Sequence, residues 1–190
     1  MQFQIGRRTD FNNAKLNSMH FLRAEVFKHR KGWDVTLLSG MEIDGYDALN
    51  PFYLLIDDPS DSKSIMGCWR ILPTTGPYML KDTFPELCEE QIPEAEDVWE
   101  LSRFAVQAKE RTSMQFSDTA RHAIREIVAF GVNQKLHSYV TVTTVGVERM
   151  LRKLGIRTDR LGRPQQIGVE NAVALRISLG EETCAALELK

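Results

Sequence analysis

The sequence Ser-Tyr-Val-Thr-Val-Thr-Thr at residues 138–144 decides the fold class. It is β-branched and alternating, which predicts a β-strand. Residues 117–133 before it place apolar side chains on one face of a predicted helix with Ser117 as its N-cap. Residues 147–154 after it predict a short helix that ends at Gly155. A strand between two helices is typical of an α/β domain.

Further strands are predicted on both sides of this segment. Residues 51–57 and 64–72 are apolar runs separated by Asp-Asp-Pro-Ser-Asp, which predicts two strands joined by a tight turn. Residues 11–30 predict a helix with its cap at Thr9–Asp10. The remaining predicted elements are strands at 98–106, 165–169 and 172–179 and a helix at 181–189. Together they predict one domain over residues 1–190, an α/β fold with a single mixed twisted sheet flanked by helices.

Composition limits the class of protein. The chain has 190 residues, of which 43% are hydrophobic and 26% charged, and this excludes a disordered or fibrous chain. No apolar run approaches the roughly 18 residues of a membrane span, and the N-terminus lacks the apolar stretch of a signal peptide. We therefore expect a cytoplasmic protein, with Cys68, Cys88 and Cys184 as free thiols. The four histidines have no metal-ligand spacing, so no metal is expected.

Charge is distributed unevenly along the chain, although the net charge is only −2. Residues 1–31 contain seven basic and two acidic side chains, and residues 82–100 contain eight acidic side chains and no basic one. Residues 149–163 contain six basic side chains and one acidic side chain. Segregated charge can steer a charged partner, although charge runs are also typical of solvated surfaces.

A predicted loop from residue 31 to residue 47 combines aromatic and acidic side chains. Phe27 and Trp33 could supply ring faces, while Asp44 and Asp47 could supply negative charge. Such a set suits a cationic ligand. The alternative is that the two rings belong to the core and that the two acids cap turns.

Two predicted strands carry charged side chains in unusual places. Arg70 interrupts an otherwise apolar strand, and a buried arginine needs an anionic partner. In the strand at 98–106, alternation places Glu100 and Ser102 on one face and Arg103 on the other. Glu100 and Ser102 could accept and relay a proton, or they could satisfy each other.

These motifs, in this order, resemble the acyl-homoserine-lactone synthases, the autoinducer synthases of the LuxI type. The similarity runs from the N-terminus to about Ala174 and is greatest to the LasI-like branch, which has a similar segment at 139–148. Each motif alone is weak, but their order is specific. The matching segments are Arg-Ala-Glu-Val-Phe at 23–27, Gly-Trp at 32–33, Glu-Ile-Asp-Gly-Tyr-Asp at 42–47, Gly-Cys-Trp-Arg at 67–70, Thr-Gly-Pro-Tyr-Met-Leu at 75–80, Phe-Pro at 84–85 and Trp-Glu-Leu-Ser-Arg-Phe at 99–104.

The resemblance implies an N-acetyltransferase-like (GNAT-like) α/β/α sandwich with a V-shaped opening in its sheet. It also implies two substrates, S-adenosylmethionine and an acyl chain carried on acyl carrier protein. The family acylates the methionyl amine, closes the lactone and expels methylthioadenosine, which yields a quorum-sensing signal. S-adenosylmethionine is therefore expected as a substrate, and no cofactor is expected.

The resemblance also implies roles for individual residues. The catalytic set is Glu100, Ser102 and Arg103, with Glu100 taking the proton of the amine directly or through water. The residues expected to bind S-adenosylmethionine are Arg23, Phe27, Trp33, Asp44, Asp47, Arg70 and Phe104. The acyl pocket is expected to contain Met79, Leu101, Thr141, Val142, Thr143, Thr144, Met150, Leu151 and Leu154, with Phe104 as a further candidate. The expected docking residues for the acidic carrier protein are Arg149, Arg152 and Lys153.

The branch suggests a long acyl chain, and the three threonines at 141, 143 and 144 suggest a 3-oxo group, although β-propensity alone also accounts for them. A generic GNAT-type N-acyltransferase that uses acyl-CoA is the main alternative. A DNA-binding regulator is disfavoured by the net charge of −2. A non-catalytic ligand-binding module also stays open.

Overall fold

A computed structural model of the chain describes residues 2–107 and 113–189, with the backbone alone for residues 113–117. The chain divides into two compact units. The first unit contains residues 1–71 and 103–123, and the second contains residues 72–102 and 124–190. The single synthase domain expected over residues 1–190 stays a prediction.

The first unit is built around three antiparallel strands and a small hairpin. Strand β1 pairs with β4, and β4 pairs with β5, while β2 and β3 form a separate two-stranded sheet. The strands predicted at 51–57 and 64–72 are confirmed with small shifts at their ends. The bounds are β1 (Phe3–Arg7), β2 (Leu37–Leu38), β3 (Met41–Glu42), β4 (Phe52–Asp58) and β5 (Asp61–Pro73).

The N-terminal helix differs from its prediction at both ends. Residues 8–10 form a 3₁₀ turn, and α1 (Asn13–Arg23) begins after Asn12, whose side chain is the N-cap, so the predicted cap at Thr9–Asp10 is wrong. Residues 24–30 continue as a π-helix. A π-helix shifts each hydrogen bond by one residue, and apolar spacing does not record that shift.

The core of the first unit lies between this helical segment and the strands. Leu16, Met19 and Leu22 of α1 continue the apolar face that the sequence predicted. The remaining buried members are Val26, Phe27, Tyr53, Leu55, Ile65, Cys68 and Ala105. Burial of this face, rather than helix propensity, stabilises such a segment.

The second unit contains the parallel part of the sheet. Strands β6 and β7 are parallel, and β10 pairs antiparallel with β7, β8 and β9, which confirms a mixed sheet flanked by helices. The strands are β6 (Val98–Val106), β7 (Ser138–Thr144), β8 (Thr158–Arg160), β9 (Gln165–Ile167) and β10 (Glu170–Ser178). The helices are α2 (Met79–Thr83), α3 (Ser113–Asn133), α4 (Val145–Lys153) and α5 (Glu181–Ala186). Strand β6 and helix α3 also contribute residues to the first unit.

Some predicted boundaries in this half of the sequence are wrong. Helix α3 already includes Ser113, so Ser117 lies within the helix and is not its N-cap. The last helix ends at Ala186 rather than Leu189. The stop after α4 is confirmed, because Gly155 has a φ of 78°, which favours glycine.

The parallel pairing of β6 and β7 is short. It runs from Val98↔Ser138 to Leu101↔Thr141, whereas β7 stays paired with β10 as far as Thr144↔Ala172. Loss of pairing after Leu101 is consistent with the opening that the resemblance implies. Within the described residues, no helix has both the length and the apolar character needed to cross a membrane.

Candidate active site

One ion-pair network joins three arginines and three carboxylates in the first unit. The arginines are Arg23 of α1, Arg70 of β5 and Arg103 of β6. The carboxylates are Glu42 of β3 and, just after that strand, Asp44 and Asp47. The formal charges of the six side chains cancel. All of them except Glu42 were predicted as site residues from the sequence.

Arg23 is the buried centre of the network. Its guanidinium donates to both carboxylate oxygens of Asp47, at 2.8 and 3.0 Å, and its Nε donates to Glu42. Burial opposes the charge on Arg23, but Asp47 and Glu42 outweigh it and raise its pKa above the ordinary value. Burial likewise opposes the charge on Asp47, but Arg23 and Arg70 hold the pKa of Asp47 well below its usual range. Removing one partner of such a buried pair typically costs about 3–5 kcal/mol.

Asp44 and Asp47 also shape the chain that carries them. Asp44 caps the 3₁₀ helix Gly45–Leu49 by accepting from the N–H of Tyr46, and Asp47 accepts from the N–H of Asp44 at 2.9 Å. The same two carboxylates bind Arg70, which confirms the anionic partner predicted for that arginine. The alternative interpretation, that the two acids cap turns, is therefore confirmed, and their binding of a cationic ligand stays a prediction.

Only two members of the network have appreciable solvent access. The side chains of Asp44 and Arg103 are 19% and 11% exposed, and the other four are at most 2% exposed. An Arg103 nitrogen lies 3.1 Å from the Oδ2 of Asp44. The network thus presents one carboxylate and one guanidinium side by side.

Arg103 reaches this position through an unusual backbone. Its φ is 58°, a left-handed value that is uncommon for residues other than glycine and that stores strain. Its side chain donates to the buried Glu42 at 3.0 Å. Burial, together with the charge of Arg70, lowers the pKa of Arg103 despite the opposing effect of Glu42.

Aromatic rings adjoin the network in the first unit. Phe27 and Trp33 stack with 5.1 Å between ring centroids, and the Arg103 guanidinium lies 5.3 Å from the Phe27 centroid. Trp69 and Phe104 form a second pair at 4.5 Å. Phe27 is buried in the core, as the alternative interpretation expected, whereas Trp33 is half-buried and retains an accessible surface.

Gly32 brings Trp33 back over Phe27. Gly32 has a φ of 65°, and its N–H donates to the carbonyl of Lys28 at the end of the π-helix. The N–H of Trp33 donates to the carbonyl of Phe27 at 2.9 Å. A left-handed residue just beyond a helix end, followed by an apolar contact back onto the helix, is a common way to end a helix.

Glu100 lies in the second unit, where its carboxylate binds the backbone at the start of α2. Its Oε2 accepts from the N–H of Met79 at 3.0 Å, and its Oε1 accepts from the N–H of Leu80 at 2.7 Å. Glu100 and Ser102 are both buried. The carboxylate therefore also holds the first turn of α2, and the roles of Glu100 and Ser102 in proton transfer stay predictions.

Apart from Phe104, which lies in the first unit, the apolar residues expected in the acyl pocket are at least partly buried in the second unit. Met79, Leu101 and Leu151 are buried. Val142 of β7, Met150 of α4 and Leu154 at the end of α4 are half-buried. Their contact with an acyl chain stays a prediction.

The three candidate threonines of β7 differ in their hydrogen bonds. Thr141 donates to the carbonyl of Leu101 at 2.8 Å and so links β7 to β6. Thr144 accepts from the N–H of Val147 and caps α4. Thr143 is half-buried, and its hydroxyl has no hydrogen bond to any described residue. Thr143 is therefore the threonine with an uncommitted hydroxyl.

The predicted docking residues are all exposed on α4. Arg152 forms an ion pair with Glu148 at 3.0 Å. Hydrogen bonds from Arg160 hold the pKa of Glu148 below its ordinary range. Neither Arg149 nor Lys153 has an acidic partner within 4 Å among the described residues.

One member of the network, Glu42, and two of its neighbours, Tyr53 and His20, were missed from the sequence. Glu42 accepts from both Arg23 and Arg103, the Tyr53 hydroxyl donates to Asp47 at 2.8 Å, and a ring nitrogen of His20 lies 2.9 Å from the Glu42 carbonyl. Burial, reinforced by Asp47, raises the pKa of Tyr53 above its usual range. Glu42 lies within the 42–47 motif, so the motif was the available signal.

No group of three or more potential metal ligands occurs among the residues that the structure describes. The expected absence of a metal and of a cofactor stays a prediction.

The fold defines the class of protein first. A structure of a putative N-acetyltransferase from Lactobacillus plantarum superposes with a TM-score of 0.62 at 13% identity, covering 95% of this chain and all of that chain. BjaI, described as a CoA-dependent acyl-homoserine lactone synthase with SAM and isopentyl-CoA, gives 0.84 at 22% identity, with 95% and 83% coverage. These likenesses concern the fold alone, and they confirm the predicted GNAT-like class.

Closer relatives define the family. The model of the autoinducer synthases matches residues 8–187. An acyl-homoserine-lactone synthase of Pseudomonas aeruginosa is 50% identical over 98% of this chain and 94% of its own. The LasI crystal structure gives a TM-score of 0.91 at 50% identity, with 98% and 93% coverage. TofI, crystallised with an inhibitor and MTA, gives 0.84 at 32% identity, with 100% and 98% coverage.

The chain belongs to the autoinducer synthase family and is an acyl-homoserine-lactone synthase, an acyltransferase of quorum sensing. The resemblance stated from the sequence, including its LasI-like branch, is confirmed. Membership of an enzyme family contradicts the interpretations as a DNA-binding regulator or a non-catalytic module.

Proposed function

We propose that this synthase transfers an acyl chain from acyl carrier protein to the amine of S-adenosylmethionine, then closes the lactone and releases methylthioadenosine. The observation that carries the proposal is the accessible pair of Asp44 and Arg103, beside aromatic rings, at the edge of a network whose other members are buried. The MTA in the crystals of TofI supports S-adenosylmethionine as the substrate.

The accessible pair matches the charges of S-adenosylmethionine. Its methionyl part carries an ammonium and a carboxylate, and Asp44 and Arg103 offer the opposite charges 3.1 Å apart. Trp33 offers a ring surface for the sulfonium and the adenosyl group. Because the remaining network is buried and rigidly paired, the two binding groups are preorganised.

The acyl transfer needs a neutral amine. The amine nitrogen attacks the thioester carbonyl, the C–S bond to the carrier breaks, and the carrier leaves as a thiol. Glu100 accepts the ammonium proton through a water molecule that Ser102 orients, in this proposal. Two backbone N–H groups hold the Glu100 carboxylate in a fixed orientation for this transfer.

The lactone closes by an internal displacement. The methionyl carboxylate attacks the carbon bonded to the sulfonium sulfur, and the C–S bond breaks with its electron pair on sulfur. Methylthioadenosine leaves as a neutral thioether, so this step needs no further proton acceptor. The folded-back substrate conformation is the main requirement, and positioning by Arg103 and the rings provides it.

The acyl donor is acyl carrier protein in this proposal, and the chain is long with a 3-oxo group. The exposed Arg149, Arg152 and Lys153 suit an acidic carrier, and Thr143 offers a free hydroxyl to a 3-oxo oxygen. Acyl-CoA is the alternative donor, favoured by the CoA-dependent BjaI. The expected cytoplasmic location stays a prediction.

The test is mass spectrometry of reactions with the purified synthase, S-adenosylmethionine, and matched acyl-carrier-protein and acyl-CoA donors. We expect acyl-homoserine lactone and methylthioadenosine in equal amounts, formed with the higher kcat/KM from the carrier thioester. Asp44→Asn is the control for the substrate site and should raise the KM for S-adenosylmethionine. Product from acyl-CoA alone would contradict the donor, and acylated S-adenosylmethionine without lactone would contradict the second step.

A further inference from the structure

A four-residue polar clamp joins α4 to β8 in the second unit. Arg160 donates to both oxygens of Glu148, at 2.9 and 2.7 Å. Arg152, one turn further along α4, lies 3.0 Å from the same carboxylate and donates from its Nε to Thr158 at 3.2 Å. Two residues of α4 are therefore bonded to two residues of β8.

In a solvated run of charges every charged side chain would be exposed, but one member of this clamp is buried. The Glu148 side chain is 2% exposed, whereas those of Arg152 and Arg160 are 56% and 40% exposed. The acid is therefore buried beneath two arginines that still present their outer surfaces to solvent. Arg149 and Lys153 are exposed next to them along the same helix.

We infer that Glu148 is a positioning residue for docking of the acyl carrier protein. It holds Arg152 and Arg160 in one arrangement, so that they join Arg149 and Lys153 in one fixed basic surface. This inference rests on the proposed carrier-protein donor. Long arginine side chains lose rotamer freedom when they bind, and a surface that is already ordered avoids that loss at the moment of docking.

A positioning role for Glu148 and simple charge complementarity predict opposite changes in the KM for the carrier protein. Glu148→Gln removes one negative charge from a basic surface, and charge complementarity by itself would then lower the KM for an acidic carrier. A positioning role predicts a higher KM, because the two arginines lose the carboxylate that orients them. The direction of the change therefore separates the two explanations.

The experiment measures kcat and KM for acyl carrier protein, for S-adenosylmethionine and for an acyl-pantetheine donor that lacks the protein. For Glu148→Gln we expect the KM for the carrier to rise about two- to fivefold, as expected for loss of a partly exposed ion pair, with the other constants unchanged. Glu182→Gln is the matched control, because Glu182 is an exposed partner of Arg157 and its loss changes the net charge equally.

A second variant keeps the inference testable if Glu148→Gln does not fold. Thr158→Val removes the bond to Arg152 without changing any charge, and it should raise the KM for the carrier by a smaller factor. A carrier KM that is unchanged or lower, or an equal rise with acyl-pantetheine, would overturn the inference. Failure of the wild-type synthase to use acyl carrier protein would instead contradict the proposed donor, and that result appears before any variant is made.

Discussion

Gly32 controls the aromatic edge of the site through its backbone alone. A Cβ added at Gly32 meets nothing within 4 Å, so Gly32→Ala costs only the strain of a positive φ, about 1 kcal/mol. We expect the chain to relieve that strain by turning Trp33 away from Phe27. We expect a several-fold rise in the KM for S-adenosylmethionine, measured by steady-state kinetics, with a smaller effect on kcat.

Gly76→Ala is the control for that substitution. Gly76 also has open space around its Cβ position, and its φ is not in the left-handed region, so kinetics should not change. An unchanged KM for S-adenosylmethionine in Gly32→Ala would mean that Trp33 does not contact this substrate.

Thr143 should determine the preference for the third carbon of the acyl chain. Its hydroxyl is uncommitted, whereas those of Thr141 and Thr144 serve β6 and α4. Thr143→Val keeps the shape and removes the hydroxyl, so we expect the kcat/KM ratio of 3-oxo to unsubstituted carrier thioesters to fall by about fivefold or more. The same ratio in Thr144→Val should not change, and an equal change in both variants would argue against a specific contact of Thr143.

At the scale of elements, α2 and β6 meet at one carboxylate. Glu100→Gln leaves a single carbonyl oxygen for the two N–H groups of α2 and removes the charge. If Glu100 accepts the proton, kcat should fall by about 10²–10⁴, with a smaller change in melting temperature. Glu94→Gln, which removes an exposed partner of Lys81, is the control of equal charge. A loss of less than tenfold in kcat would restrict Glu100 to its capping role.

The elements that the sequence predicted well are those in which one residue pattern corresponds to one structure. The alternation at 138–144 and the apolar run at 51–57 both predict strands, and both strands are found. The π-helix at 24–30 was not predicted, because a single short run of i→i+5 hydrogen bonds at the end of an α-helix is rare and has no sequence signal of its own. The short β2–β3 hairpin was also missed, since two-residue strands show no alternation.

The site was predictable as a set of residues but not as a network. An arginine in an apolar strand needs an anionic partner, so the partner class of Arg70 was predictable from the sequence alone. The sequence alone did not identify Glu42 as a partner of these arginines, because burial of that side chain follows from the packing of α1 against β3. Pairings between residues 19 to 61 positions apart depend on the folded chain, not on local sequence.

At the scale of the whole molecule, the small net charge hides a cluster of exposed basic residues on α4, which we propose as the docking surface. Reversal of Arg149 and Lys153 to glutamate should raise the KM for acyl carrier protein about tenfold or more at low salt and leave the KM for S-adenosylmethionine unchanged. The control reverses Arg8 and Lys63, two exposed residues of the first unit, with the same change in net charge. Equal effects of the two double variants would indicate a general response to net charge and not docking.

Stability in acid should follow the buried groups of the first unit. Burial and the charge of Arg23 lower the pKa of His20. Its neutral form therefore stabilises the fold at pH values above the ordinary histidine pKa of about 6.5. That contribution is lost as the pH falls through this value, because the unfolded chain binds the proton more readily. Asp47, whose pKa is also lowered, contributes stability that is fully present well above about pH 4 and is lost below it.

The free energy of unfolding, measured with urea between pH 8 and pH 3, should therefore fall in two stages. The first stage should begin near pH 6.5 and the second near pH 4. His20→Asn cannot titrate, so it should abolish the slope of the first stage whatever its effect on absolute stability, and it should leave the second stage in place. If the slope near pH 6.5 persists in His20→Asn, another group carries the proton linkage and the buried neutral state of His20 is wrong.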